Sequence, residues 1–186
     1  VKKISTQLPD VWELVPDVFS DERGSFLETY SQRRFADLGI LDLFVQDNHS
    51  WTLKKNTLRG MHYQINRPQA KLCRVIEGEV LDVAIDIRIG SPTFGKFASV
   101  VLSAEKKNMI FIPVGFAHGF MVVNGPAQFL YKCSDFYSKP DERGILWNDP
   151  DVGIDWGTKD AMLHVRDAEF PTLANAPRED LPVYIG

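Results

Sequence analysis

Between Lys71 and Ser134 the chain repeats one pattern, short runs with apolar side chains on alternate positions, broken by residues that turn the backbone. Leu81, Val83, Ile85, Ile87 and Ile89 are apolar, while Asp82, Asp86 and Arg88 stand between them. A period of two is that of a strand with one face in the core, and it predicts a half-buried strand with its acidic positions outward. Glu77-Gly78-Glu79 reads as the turn that precedes it. Further strand-like runs follow at 97–102, 109–112, 116–123 and 128–133, punctuated by Gly90-Ser91-Pro92, Lys106-Lys107-Asn108, Pro113 and Asn124-Gly125-Pro126. Many short strands at regular spacing specify an all-β sandwich or barrel.

The flanks carry less. Ser31 to Leu38 predicts a short helix, with a Ser start, Phe35 and Leu38 on one side and Gly39 as its stop, packed outside the sheets. After Trp147 the chain is richer in Pro, Asp and Gly and predicts loops, with one small helix near 160–165. No repeat, low-complexity tract or long linker divides the 186 residues, so a single domain over 1–186 is expected. A net charge of -4 argues against nucleic acid or a membrane surface as partner, but leaves room for a small basic pocket that takes one anion. Cys73 and Cys133 sit in apolar strand-like runs without C-x-x-C spacing and read as buried free thiols of a cytoplasmic protein.

Chemistry-bearing residues gather in Arg59-Gly60-Met61-His62-Tyr63-Gln64, at Lys71, and in Gly115-Phe116-Ala117-His118-Gly119-Phe120. On a strand, His62 and Gln64 face one side, so Gln64 occupies the place of the second ligand in an H-x-H metal site. With His62 and His118 as the available imidazoles and a neutral amide between, no metal is expected. His62 by itself reads equally as a satisfied structural histidine, but Arg59 and Lys71 nearby make sense beside it if an anion visits. His118 reads as either a core histidine or a ligand contact. Tyr131 and Cys133 share one strand face; Tyr131 and Tyr137 alone are ordinary amphipathic residues, and Asp167 alone is a solvated charge.

Taken together, Gln46-Asp47-Asn48-His49-Ser50, Leu58 to Gln64, Ala70-Lys71-Leu72, Asp82 to Arg88, Ser91-Pro92-Thr93-Phe94-Gly95, Ile112 to Phe120 and Tyr131-Lys132-Cys133 resemble the dTDP-4-dehydrorhamnose 3,5-epimerase family. Asp21-Glu22-Arg23-Gly24-Ser25-Phe26 and Trp147-Asn148-Asp149-Pro150 extend the resemblance in order over nearly the whole chain. Met61 and Arg166 stand where the family commonly has Leu and Lys. The resemblance implies a cupin-type double-stranded β-helix, that is, a jelly-roll barrel with a few short peripheral helices. It also implies a homodimer, no cofactor, and action on dTDP-4-keto-6-deoxy-D-glucose. Enzymes of deoxysugar pathways that epimerise only C3 or only C5, and a non-catalytic nucleotide-sugar-binding jelly roll, are the alternatives.

The resemblance also implies roles. His62 is the base and Asp167 its carboxylate partner, with Asp160, which follows Lys159, as the rival. Tyr131 is the acid on the far face of the sugar ring, and Lys71 stabilises the O4 oxyanion. Arg59 and Arg23 meet the diphosphate, and Phe19, Phe26 and Tyr137 pack around thymidine. Glu28, Gln46 and Asn48 are polar contacts, some of them across the dimer, while His118 and Arg166 serve the sugar side. These residue types suit the chemistry, since protons on C3 and C5 are both α to a C4 ketone and each removal leaves an enolate to be stabilised and reprotonated.

Overall fold

A computed structural model describes residues 1–186. In chain order it contains β1 (Lys2–Ser5), β2 (Trp12–Val15), β3 (Val18–Asp21), β4 (Gly24–Leu27), α1 (Gln32–Asp37), β5 (Gln46–Thr52), β6 (Leu58–Gln64), β7 (Lys71–Asp86), β8 (Phe97–Ser103), β9 (Met109–Ile112), β10 (Phe116–Cys133), β11 (Glu142–Gly144) and α2 (Val165–Ala168). Nine of the strands form one antiparallel sheet system and β3–β4 a separate hairpin. The cupin-type jelly roll expected from the resemblance is the fold found.

Two strands are much longer than the sequence pattern suggests. The turn read at Glu77-Gly78-Glu79 and the break read at Asn124-Gly125-Pro126 both lie inside continuous strands, β7 and β10, which pair with each other from Lys71–Cys133 to Asp86–Phe116. The two irregularities face each other. Gly78 has a φ of +74°, and a Cβ there would lie 2.6 Å from the Asn124 carbonyl oxygen and collide with that of Pro126. Where both strands bulge at one place the ladder bends without ending.

The bend makes two layers. The first halves of the two partners' pairing join β1, β2, β9, the start of β7, the end of β10 and β5. The second layer joins β8, the end of β7, the start of β10, β6 and β11. Across the bend the inward face changes parity: Cys73 and Val75 point between the layers before Gly78, Val80 and Ala84 after it, and β10 changes likewise from Phe120 and Val122 to Ala127 and Phe129.

The expectation of a half-buried strand over 81–89 is therefore corrected. Val83, Ile85 and Ile87 do face one way, into a second cluster outside the layer, where Trp156, Leu173 and Leu181 of the C-terminal segment cover them. The opposite positions are not solvated: Asp82 and Asp86 are fully buried. Their charges are met inside the fold, Asp82 by His118 and Asp86 by Arg88, Ser91 and Thr93. Period two reports which residues share a face and is silent on whether the polar face meets water or a partner.

A third cluster, with Leu14, Leu72, Met109 and Phe111, lies outside the first layer. Helix α1 caps it through Phe35, as the sequence predicts; Ser31 holds the N-cap position without a side-chain bond, and Gly39 at φ +82° ends the helix. The small helix expected near 160–165 is instead α2, at Val165–Ala168. Residues before it run extended because Met162 bridges Thr57 and exchanges backbone bonds with Asn56 and Leu58 at 2.8 Å each. No helix is long and apolar enough to cross a membrane.

Gly78→Ala places a side chain in the left-handed region against a neighbouring backbone and is expected to lower stability by about 1–3 kcal/mol, read as a reduced urea midpoint.

Candidate active site

A cleft of about 1010 Å³ opens between the two layers. Layer one supplies Lys71, Tyr131 and Cys133 with Gln46, Asn48 and Ser50 of β5. Layer two supplies Arg59, His62, His118 and Phe120, and the rim is completed by Tyr137, Lys139, Glu142 and the 162–167 segment.

Arg59 and His62 are three apart, which on a regular strand sends them to opposite faces. A bulge reverses this. His62 pairs with His118 and Arg59 with Phe120, so three steps of β6 match two of β10. Gly60 and Gly119 make the bulge possible: Gly60 has a φ of +129°, and a Cβ on it would stand 2.5 Å from Gly119 Cα. Both cationic and imidazole groups thus reach the cleft, while Met61 and Tyr63 fill the outer cluster. Gln64 does not join His62. Its amide bonds Arg67 and Phe136 carbonyls and accepts from Ser138 N, anchoring the loop that carries Tyr137.

His62 Nε2 lies 2.9 Å from Asp167 Oδ1, and Asp167 Oδ2 accepts from Gly60 N at 3.2 Å. Asp167 is only 3% exposed. Burial pushes its carboxyl up, but the bonds from His62 and Gly60 and the positive charges of His62 and Arg166 outweigh this and hold it below its ordinary value. Phe170 meets the imidazole edge-on at 5.7 Å. Asp160 is exposed and touches neither, so between the two candidates the geometry joins Asp167 to His62.

Tyr131 is pushed up to about 12, chiefly by burial, and is a neutral phenol at any working pH. Lys71, 9% exposed, forms no ion pair. Arg59 likewise has no acidic partner and bonds only Thr52 Oγ1 at 3.4 Å. A cleft with two cations that no carboxylate pairs is built for an anion.

His118 is deeper. Its Nε2 is 3.0 Å from both oxygens of Asp82 and 3.9 Å from Cys73 Sγ. Burial lowers its pKa and raises that of Asp82. Alternation predicts Asp82 as an outward-facing charge; the bend in β7 instead buries it beneath the cleft against His118.

At the rim, Arg166 spends its fork on Glu142 at 2.6 and 3.3 Å, and the same carboxylate accepts from Tyr137 OH at 3.0 Å. A planar guanidinium bonds both oxygens in a way lysine does not. Glu142 itself escaped sequence reasoning, since a lone Glu on a three-residue strand carries no motif.

Four expected residues do not line this cleft. Phe19, Phe26 and Arg23 belong to the β3–β4 hairpin, exposed 65%, 71% and, for the Arg23 side chain, 85%. Arg23 is held by Asp21, and Glu28 by Arg34 at 3.4 Å. The hairpin pairs with no third strand, and none of its residues lines the cleft with His62.

A family model described as dTDP-4-dehydrorhamnose 3,5-epimerase matches residues 5–175. A dTDP-4-dehydrorhamnose 3,5-epimerase of Shigella flexneri is 51% identical over 166 residues, 88% of this chain and 91% of its own. The crystal structure of a dTDP-6-deoxy-D-glucose-3,5-epimerase from Legionella pneumophila Philadelphia 1, in complex with dTDP-4-keto-L-rhamnose, superposes with a TM-score of 0.96 at 44% identity, covering 100% of this chain and 99% of that one. A 3′-monoepimerase from Streptomyces bikiniensis in complex with dTDP-quinovose shares the fold at a TM-score of 0.88 and 33% identity, covering 97% and 92% here and there in its double-mutant form and 96% and 91% in the form with dTDP-quinovose. By the extent of these matches, and with His62 held by buried Asp167 in an anion-ready cleft, the chain belongs to the dTDP-4-dehydrorhamnose 3,5-epimerase family, whose members are isomerases.

Proposed function

We propose that this chain epimerises dTDP-4-keto-6-deoxy-D-glucose at C3 and C5 to dTDP-4-keto-L-rhamnose, with His62, Asp167, Tyr131 and Lys71 as its reacting set. The observation that carries the reading is the contact of half-buried His62 with buried Asp167, facing a cleft whose other layer presents a neutral Tyr131 and an unpaired Lys71. His62 Nε2 faces Asp167, so the carboxylate orients the ring and stabilises the imidazolium that forms when the other nitrogen takes a proton from C3 or C5. Lys71 meets the charge that gathers on O4, where a buried cation acts more strongly than in water. Tyr131 returns a proton from the opposite side, which inverts the carbon. Arg59 pairs with the diphosphate, Gln46, Asn48 and Tyr137 with the nucleoside, His118 with the sugar, and Arg166 holds the rim.

We assign Phe19, Phe26, Arg23 and Glu28 to the cleft of a second copy. A two-stranded hairpin with exposed Phe19 and Phe26 as cross-strand neighbours gains little by itself and is suited to cover from another chain. The working unit on this reading is a homodimer in the cytoplasm, with its thiols free. It needs no cofactor.

In deuterated buffer, NMR of the substrate with the wild-type protein is expected to show deuterium at both C3 and C5; His62→Asn slows both exchanges by about 10²–10⁴-fold. Exchange at one carbon alone indicates a mono-epimerase, the activity carried by the Streptomyces neighbour, and none at either rejects the proton-transfer reading.

For Asp167 the sign follows from its depressed folded value. The stability it contributes is present above the unfolded carboxyl value of about 4 and is lost as pH falls through the lower folded one. Urea midpoints of wild type and Asp167→Asn are therefore expected to differ most near neutrality and to converge in acid.

Hairpin sharing is tested by complementation. Arg23→Ala and His62→Asn proteins, each impaired alone, are expected to regain turnover when unfolded and refolded together, because a mixed dimer contains one complete site. Absence of any gain in mixtures shown to be dimeric would remove Arg23 from the partner's site.

A further inference from the structure

Below the cleft, the bend in β7 folds two parts of one strand onto the same spot. At about 3.3 Å per residue, Cys73 and Asp82 would lie far apart on a straight strand. Here their donor atoms and His118 Nε2 all lie within 4.8 Å of one another. The imidazole nitrogen is 3.0 Å from both Asp82 oxygens and 3.9 Å from Cys73 Sγ. Cys73 and Asp82 are fully buried and His118 nearly so, while His118 also lines the cleft.

We propose that Cys73, Asp82 and His118 form a zinc-binding site on the floor of the cleft. One sulfur, one nitrogen and one oxygen donor suit zinc, whereas magnesium and calcium require oxygen shells. Three protein ligands leave a fourth position for water or a substrate oxygen. On binding, Zn–S, Zn–N and Zn–O bonds form; the S–H bond of Cys73 breaks and its proton leaves to solvent, while the proton that His118 Nε2 shares with Asp82 moves to Nδ1 so that Nε2 offers its lone pair. A zinc ion with one thiolate and one carboxylate is neutral overall, which a buried site tolerates better than a bare charge. The site differs from the H-x-H arrangement weighed from the sequence, because it uses neither His62 nor Gln64. If epimerisation proceeds as proposed above, occupancy switches it off, since zinc withdraws His118 from the cleft wall.

The test uses full-length protein stripped by a chelator that is then removed. Cobalt(II) serves as a spectroscopic probe and zinc affinity is measured against a chromophoric chelator. One ion per chain is expected, with a thiolate-to-cobalt charge-transfer band. Cys73→Ser should lose the band and bind zinc at least about tenfold more weakly, and Cys133→Ser should keep both. Asp82→Asn provides a second variant, with the band retained and zinc affinity reduced. No band in wild type, a band that depends on Cys133 instead of Cys73, or equal zinc affinity in wild type and Cys73→Ser would overturn the site. Zinc is also expected to inhibit wild-type turnover reversibly, and unchanged potency against Cys73→Ser would contradict the assignment. A zinc-free wild type without turnover speaks against the proposed reaction, while the cobalt spectrum still decides the site.

Discussion

Everything functional in this molecule hangs on the ladder between β7 and β10 and on the single place where both strands bend. Each strand belongs to both layers, so the bend at Gly78 and Asn124–Pro126 is what sets the layers face to face. It also changes the inward parity of both strands together, which keeps Cys73, Val75, Val80 and Ala84 in one interior cluster with Phe120 and Phe129. A bend in one strand only would break the ladder; matched bends preserve the hydrogen bonds on either side.

That geometry places the chemistry. Lys71 and Tyr131 come from one layer and Arg59, His62 and His118 from the other, so the cleft has a cation and a neutral phenol across from an imidazole. Two secondary devices refine it. The Gly60–Gly119 contact turns Arg59 to the same side as His62, and the Thr57–Met162 bridge lays the chain so that α2 delivers Asp167 under the imidazole. The covering tail matters as well: Trp156, Leu173 and Leu181 bury the outer face of layer two, with the Trp156 indole bonded to the Trp147 carbonyl at 2.8 Å and Asp149 accepting from Leu173 N at 2.7 Å.

Much of the fold class was legible from alternation and turn residues alone, because strand period and glycine or proline placement are local properties of the backbone. Strand edges at 97 and 109–112 and the helix ending at Gly39 were read closely. Asp82, read as outward, and the turn at Gly78, read as a strand end, were misjudged for one reason. Both depend on which distant segment lies opposite, Asp82 on His118 and Gly78 on Asn124 and Pro126. The helix read near 160–165 moved for the same reason, since pairing with Thr57 overrode a weak local preference.

The residue types of the site were likewise legible: an imidazole, a lysine and two tyrosines in ordered segments, with an aspartate left between positions 160 and 167. Their arrangement was not. Periodicity sends Arg59 away from His62, and nothing in the linear chain brings Asp82, Cys73 and His118 to one point or pairs Glu142 with Arg166. Alternation and turn chemistry act within a few residues, so the amino-acid order alone decides that this chain makes paired strands carrying these side chains. Which groups share a cleft depends on register, bulges and bends between strands far apart in the chain, and those exist only once the two layers have closed on a common core.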